Sequence, residues 1–275
     1  MIYLSLKNKP ISSDLEQKLS KVLVIPGNYK KLNDKQLHIL KKYIKKKNIT
    51  LEDVLSMRSA YMNIKLLKNH YKMSKFSSKF TKLYLDDKMP LLDISKKYDF
   101  PPIGVLKNIF YKRKFSKEKV KNFFKLKNLN LLDEYDVQQI KLSIDNDIYN
   151  KVDQSEQISN SVNFESEIEH FLISKGCTFK TQEMLQEEQI KQYGRAINTP
   201  DFLILSDLYI NKIKINWIDA KNFYGANTFL IKKKTQKQVN KYIKAHGTGA
   251  IFFSLNFSED LHFENVLLIN YNLLT

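Results

Sequence analysis

The sequence predicts an α+β (α/β-like) protein in two parts, an all-helical basic N-terminal domain followed by a mixed-sheet domain with helices on its faces. Three observations carry this. Residues 1–150 hold 32 Lys plus Arg against 15 Asp plus Glu, whereas residues 151–275 hold 14 against 14. The first part has hardly any Gly and spaces its apolar residues at helical intervals. The second runs helix, strand, strand, strand, helix, strand, an order that builds a mixed sheet.

A chain of 275 residues with 43% hydrophobic and 12% aromatic content can bury one or two real cores. The single Cys177 excludes a disulfide framework and a thiolate metal site, and suggests a reducing compartment. No apolar run approaches a membrane span, and Met1 to Pro10 lacks a signal-peptide layout. The expectation is a soluble, intracellular protein in the nucleus, the cytoplasm or another DNA-containing compartment. A basic half joined to a neutral half reads as a polyanion binder.

In chain order, Ser13 reads as the N-cap of a helix over 14–22. Asn33 with Gln36 reads as a capping box, and Thr50 with Asp53 as one with Asp in place of Glu or Gln. From Leu51 through Val54, Tyr61, Ile64, Leu67 and Tyr71 the spacing predicts one long helix, with Tyr61 and Tyr71 packed in a core rather than offered to bases. Residues 91–113 read as a short helix, a break at Asp99-Phe100-Pro101-Pro102 and a second helix, a helix-turn-helix-like unit. Lys107, Lys112, Arg113 and Lys114 on and after that second helix are candidate phosphate contacts. Base-specific readout is not expected.

Residues 153–163, DQSEQISNSVN, read as a linker. The predicted domains are therefore 1–152 and 164–275. A helix opens at Phe164 with an apolar stripe of Phe164, Ile168, Phe171 and Leu172 and stops at Gly176. Glu165 and Glu167 flank the stripe, and periodicity does not choose which turns inward. Strand Cys177 to Lys180 and a polar helix over 183–191 come next.

Two apolar runs then carry a carboxylate each, Asp201 before Phe202–Leu205 and Asp219 within Ile213–Lys221. Seven residues between them are too few for a parallel crossover, so an antiparallel hairpin is expected. Ile213, Ile215, Trp217, Asp219 and Lys221 share one face at strand period. A turn centred near Ile210 sets Asp201 opposite Asp219, which is tolerable only if one acid is protonated or a cation sits between them. Mg²⁺, which takes hard oxygen ligands, suits that position, and Lys221 points to the same place. A helix over 228–245 follows with Lys232, Lys233, Lys234, Gln238 and Tyr242, then Gly247, Gly249 and the strand Ala250–Leu255. No Gly-rich phosphate loop is present.

Thr199-Pro200-Asp201-Phe202, then Trp217-Ile218-Asp219-Ala220-Lys221 at a strand end, with an acidic helix before them, resemble the PD-(D/E)XK nuclease superfamily. With Gln238, Tyr242, Gly247 and Gly249 they resemble more closely its TPD-motif family of codanin-interacting-nuclease-like proteins. The likeness spans 83–255 and is weak before that; the family relative has Glu where this chain has Asp219. The resemblance implies a restriction-endonuclease-like fold for 164–275. It also implies Mg²⁺ (or Mn²⁺) held by Glu165, Asp201, Asp219 and the Ala220 carbonyl, with Lys221 orienting water and Gln238 and Tyr242 lining the site. It further implies a codanin-like protein partner. The expected activity is phosphodiester hydrolysis of nucleic acid, DNA favoured, with Lys232, Lys233 and Lys234 tracking the backbone. The competing expectation is an adaptor that keeps the nuclease fold without turnover.

Overall fold

Asn211 and Lys212 both have positive φ, 50° and 67°. Together they make the two-residue turn whose twist suits a tight antiparallel hairpin. This hairpin is the middle of a six-stranded sheet. The computed structural model describes residues 1–149 and 155–273. In chain order its elements are β1 (Ile2–Leu4), α1 (Ser13–Leu23), α2 (Asp34–Ile44), α3 (Leu51–Met73), α4 (Ser77–Leu85), α5 (Leu91–Tyr98), α6 (Pro102–Lys112), α7 (Lys117–Phe123) and α8 (Glu134–Asp145). Then come α9 (Ser155–Ser174), β2 (Phe179–Thr181), α10 (Gln182–Tyr193), β3 (Phe202–Ile210), β4 (Ile213–Lys221), α11 (Phe229–His246), β5 (Gly249–Phe253) and β6 (Val266–Asn270). The architecture is mixed α and β, and no helix among the described residues is long and apolar enough to cross a membrane.

The chain divides into two units, Met1–Leu19 with Ile44–Met57 and Ser155–Thr275, and Ser20–Tyr43 with Arg58–Gln154. This departs from the expected division into 1–152 and 164–275. The N-terminal residues are not all helical: β1 runs parallel to β3, pairing Ile2 with Leu208 and Leu4 with Ile210. Ile2, Leu4 and Leu6 are drawn there by the sheet's apolar core. The expected linker is helical from Ser155 onward, while Asp153 and Gln154 lie outside the described residues.

In the first unit the sheet order is β1-β3-β4-β5-β6, with β2 also on β3. β3 and β4 are antiparallel, whereas β4, β5 and β6 run parallel. One apolar layer sets Phe164, Ile168 and Leu172 of α9 against Ile204, Ile218, Phe252 and Ile269. The opposite layer joins Trp217, Ile251 and Phe253 to Val239 and Tyr242 of α11. β4 does not alternate as cleanly as expected, because Ile215 packs with the α9 layer and Trp217 with the α11 layer. The Trp217 indole donates to the Gly247 carbonyl at 2.8 Å. Its ring fills the space where a Cβ on Gly249 would stand, 2.1 Å away, which explains the glycine there.

The expected capping boxes form. Asn33 and Gln36 exchange side-chain to backbone hydrogen bonds at 3.0 and 2.9 Å, and Thr50 and Asp53 do so at 2.8 and 3.0 Å. Buried Asp53 also accepts from the Asn256 amide at 2.7 Å. Ser13 is not a cap; its hydroxyl donates to Asp260, and the helix begins at Ser13 itself.

The second unit centres on α6. Pro102 to Leu106, Ile109 and Phe110 are all buried there, among Phe80, Tyr84, Leu91, Ile94 and Val120. The side chains of Ile103, Val105, Leu106, Ile109 and Phe110 each contribute about 1.5–3 kcal/mol on burial, so this helix is a core element. A groove-reading helix needs its N-terminal residues exposed, and α6 has them buried. The expected break before it is real: Asp99 is left-handed (φ 54°), and its carboxylate accepts from Lys65 Nζ at 2.6 Å. The long helix α3 forms as expected, but Tyr71 is 74% exposed rather than in a core.

Candidate active site

The hairpin register decides the geometry. Near the turn Ile210 pairs with Ile213 and Leu208 with Ile215, while at the far end Phe202 pairs with Ile218. β3 takes five residue steps between Leu203 and Leu208 while β4 takes two between Trp217 and Ile215. The expected turn at Ile210 is therefore displaced to Asn211-Lys212, and the irregularity in β3 absorbs the difference. Continuing the far register by one residue sets Asp201 across from Asp219. Asp201 Oδ2 accepts from the Ala220 amide at 2.6 Å, which closes the end of the ladder with a carboxylate.

Asp219 is fully buried. Its Oδ1 accepts from Gln238 Nε2 at 3.0 Å, and its Oδ2 lies 2.5 Å from Lys221 Nζ. That approach misses hydrogen-bond alignment, so Oδ2 has an ion-pair partner but no directed donor. Lys221 Nζ donates to Gln238 Oε1 at 3.2 Å. The second Gln238 Nε2 hydrogen goes to the Tyr242 hydroxyl at 2.9 Å, and Tyr242 donates to the Thr199 carbonyl at 3.3 Å. Gln238 and Tyr242 meet because they are four residues apart on α11. One amide thus closes a ring with Asp219 and Lys221, and through Tyr242 it is tied to the residue two before Asp201.

Burial, and then the charge of Asp219, push the Asp201 carboxyl up to about 7, against the Ala220 amide and Lys221. Burial also raises Asp219, opposed by Lys221. Glu165 on α9 is raised by burial, then by Glu183 and Asp219, and lowered by Lys221. Of the two acids that flank the α9 stripe, Glu165 is the one within electrostatic range of Asp201 and Asp219. Asp201, Asp219, Ala220, Lys221, Gln238 and Tyr242 are therefore brought to one place, with Glu165 near enough to feel the charges of Asp219 and Lys221. The oxygen donors are of the kind a hard divalent cation takes, and such an ion would offset the mutual repulsion that helps raise the Asp201 and Glu165 carboxyls. Among the described residues, however, no group of three or more His, Cys, Asp or Glu side chains is disposed to hold an ion.

Sequence reasoning missed four residues. Gln182 donates through its amide nitrogen to the Thr199 carbonyl at 3.3 Å and through its backbone to the Asp201 carbonyl at 3.0 Å. Glu183 lies beside Glu165 electrostatically. Gln189 grips the segment before Asp201, accepting from the Ile197 and Asn198 amides at 2.7 and 2.9 Å. Asn198 donates to the Lys241 carbonyl at 3.2 Å. Their placement follows from β2 pairing Thr181 with Phe202, a pairing with no local signature.

Two of the four expected phosphate contacts in the second unit are internal. Arg113 pairs with Asp136 at 2.6 Å, an acid 1% exposed that also accepts from Tyr84. Its guanidinium lies over Phe110 and Phe115. Lys107 is partly buried with its ammonium over Phe124, and burial lowers its pKa. Lys112 and Lys114 are exposed. In the first unit Lys232 is half-buried while Lys233 and Lys234 are exposed, because three consecutive helical residues cannot share a face.

A family model described as "Protein of unknown function TPD sequence-motif" matches residues 117–272. The chain belongs to this TPD family. Thr199-Pro200-Asp201 carries the motif's three letters, with Pro200 buried and the Thr199 carbonyl held by Gln182 and Tyr242. The uncharacterized protein L539 of Acanthamoeba polyphaga mimivirus is 31% identical over 117 residues, which is 41% of each chain. The TPD chain thus spans less than half the length of the curated relative it matches. No solved structure matches it.

Proposed function

We propose that this TPD protein is a metal-dependent phosphodiesterase of the PD-(D/E)XK type acting on nucleic acid, with DNA the favoured substrate. The observation that carries the reading is the buried Asp219, held with Lys221 by one Gln238 amide and facing Asp201 across the strand pair. Metal-dependent nuclease chemistry needs closely placed oxygen donors to hold the ion, and the Lys221 ammonium stands beside the ones here. Asp201, Asp219, the Ala220 carbonyl and Glu165 would hold a Mg²⁺ or Mn²⁺ ion. Such an ion, when bound, acidifies water and offsets charge on the scissile phosphate.

The chain's own residues do the rest. Gln238 fixes the Lys221 ammonium at the carboxylates, where it orients water or offsets charge on a phosphate oxygen. The Tyr242 to Thr199 bond holds the segment leading into Asp201 against α11. The second unit carries 27 Lys plus Arg against 12 Asp plus Glu, which suits a polyanionic substrate.

The adaptor reading is favoured by one observation, the Lys221 ammonium standing at the Asp219 oxygen that an ion would take. Calorimetric titration with Mg²⁺ and Mn²⁺ separates the two. The nuclease binds metal through Asp201 and Asp219, and the adaptor does not. Cleavage is then assayed on single strands, duplexes, flaps and junctions of DNA and RNA, with Asp201→Ala and Lys221→Ala as controls. Absence of metal-stimulated cleavage across that panel removes the enzyme reading.

A further inference from the structure

Helix α11 carries Lys232, Lys233, Lys234, Lys237, Lys241 and Lys244 and no acid, although its unit as a whole is almost neutral, with 19 Lys plus Arg against 17 Asp plus Glu. At 3.6 residues per turn, Lys234, Lys237, Lys241 and Lys244 fall within about 80° of one another and span about 15 Å. All four are exposed and, among the described residues, none is ion-paired. Like charges three and four residues apart destabilise a helix, so a solvated helix face normally mixes signs. The stripe lies about 40° around the helix from Gln238, whose side chain holds Asp219 and Lys221. One edge of the stripe therefore borders the candidate active site.

A second feature adjoins it. Residues Lys191 to Ile197 are exposed throughout, with Tyr193 at 56% and Ile197 at 50%. Gln189 fixes the end of this segment, and Asn198 ties it to the backbone of α11 at Lys241. Arg195 within it is exposed, whereas Arg58 and Arg113 are engaged internally. A duplex keeps its base faces stacked inside, but a single strand offers them to aromatic and apolar side chains beside a cationic track.

We propose that Lys234, Lys237, Lys241 and Lys244, with Tyr193 and Arg195 alongside, form a track that leads single-stranded nucleic acid to the Asp201/Asp219 site. The track gives the proposed nuclease its substrate class and rests on that reading for the site it feeds. It is tested by binding alone, so the two can fail separately.

Fluorescence anisotropy in EDTA, where no metal-dependent cleavage occurs, would compare a labelled oligothymidylate with its duplex on oligoadenylate across a salt series. The variant with all four lysines changed to Gln should bind the single strand with a log–log salt slope shallower by about 3, at about 0.7 for each phosphate it no longer neutralises. Tyr193→Ser should weaken single-strand binding about 5- to 150-fold, the range for one stacked base, and leave duplex binding unchanged. Because the four side chains are exposed, the fold should persist, and emission from Trp217 checks it. Should the quadruple variant unfold, single Lys→Gln substitutions, each reading about 0.7 in slope, carry the test. An unchanged slope overturns the track, and an equal loss on duplex, or no loss, for Tyr193→Ser overturns the single-strand assignment. Cleavage by the wild type and Asp201→Asn is measured separately, so an inactive protein that still shows the slope change refutes only the nuclease.

Discussion

Asp201 Oδ2 accepts the Ala220 amide hydrogen at 2.6 Å across the β3/β4 pair, so a carboxylate stands where a backbone carbonyl would ordinarily close the ladder. The substitution Asp201→Asn keeps an acceptor for that amide and removes one of the two facing carboxylates. We expect cleavage to fall at least about 100-fold, in line with the loss of a group that stabilises transition-state charge. In EDTA its thermal midpoint should match or exceed that of the wild type. Asp201→Ala, which strands the Ala220 N–H, should instead cost about 1–3 kcal/mol if the amide stays buried. Thermal melts beside cleavage assays check the pair.

Gln238 serves three groups at once. Gln238→Leu leaves Asp219 Oδ1 without its donor and takes one partner each from Lys221 and Tyr242. The expected cost is about 1–3 kcal/mol for the stranded buried acceptor, read by urea unfolding, together with loss of metal-stimulated cleavage.

The metal-free protein should lose stability as pH rises. The Asp201 carboxyl, raised to about 7 in the fold, binds a proton that the unfolded chain has released above its ordinary value near 4. Between those values the folded state holds the extra proton, so the stability contributed by Asp201 is fully present below about 4 and is lost as pH rises through about 7. The slope is about 1.4 kcal/mol per pH unit per proton. Urea midpoints in EDTA across that window should show this trend, and Asp201→Asn should flatten it.

Gly249→Ala places a methyl group into the Trp217 ring, 2.1 Å from the nearest ring atom. The expected penalty is about 1–3 kcal/mol of overpacking or more. Trp217 is the only tryptophan of the chain, so a shift in its emission accompanies the lowered thermal midpoint.

Arg113→Met leaves Asp136 buried without its guanidinium. Breaking such a pair from one side costs about 3–5 kcal/mol. A phosphate-contacting residue would behave in the opposite way, sparing stability and reducing the salt slope of binding. Circular dichroism melts and salt-dependent anisotropy on this variant distinguish the two roles.

The sequence by itself determined the features that depend on neighbours along the chain. The capping boxes at Asn33/Gln36 and Thr50/Asp53, the length of α3, the break at Asp99 and the shared face of Gln238 and Tyr242 follow from periods of a few residues. So does the antiparallel sense of β3 and β4, since seven residues cannot cross over. Tertiary structure decided everything that required distant segments to compete for the same surface. Ile2–Leu4 became a strand because the edge of β3 and its apolar core were there to receive it. Arg113 and Lys107 turned inward because a buried acid and an aromatic ring stood beside them, which charge counting along a chain does not register. Asp201 met Asp219 through a turn at Asn211-Lys212 and an irregular β3, since register is settled by what each face must bury over the whole sheet rather than by the spacing of two acids.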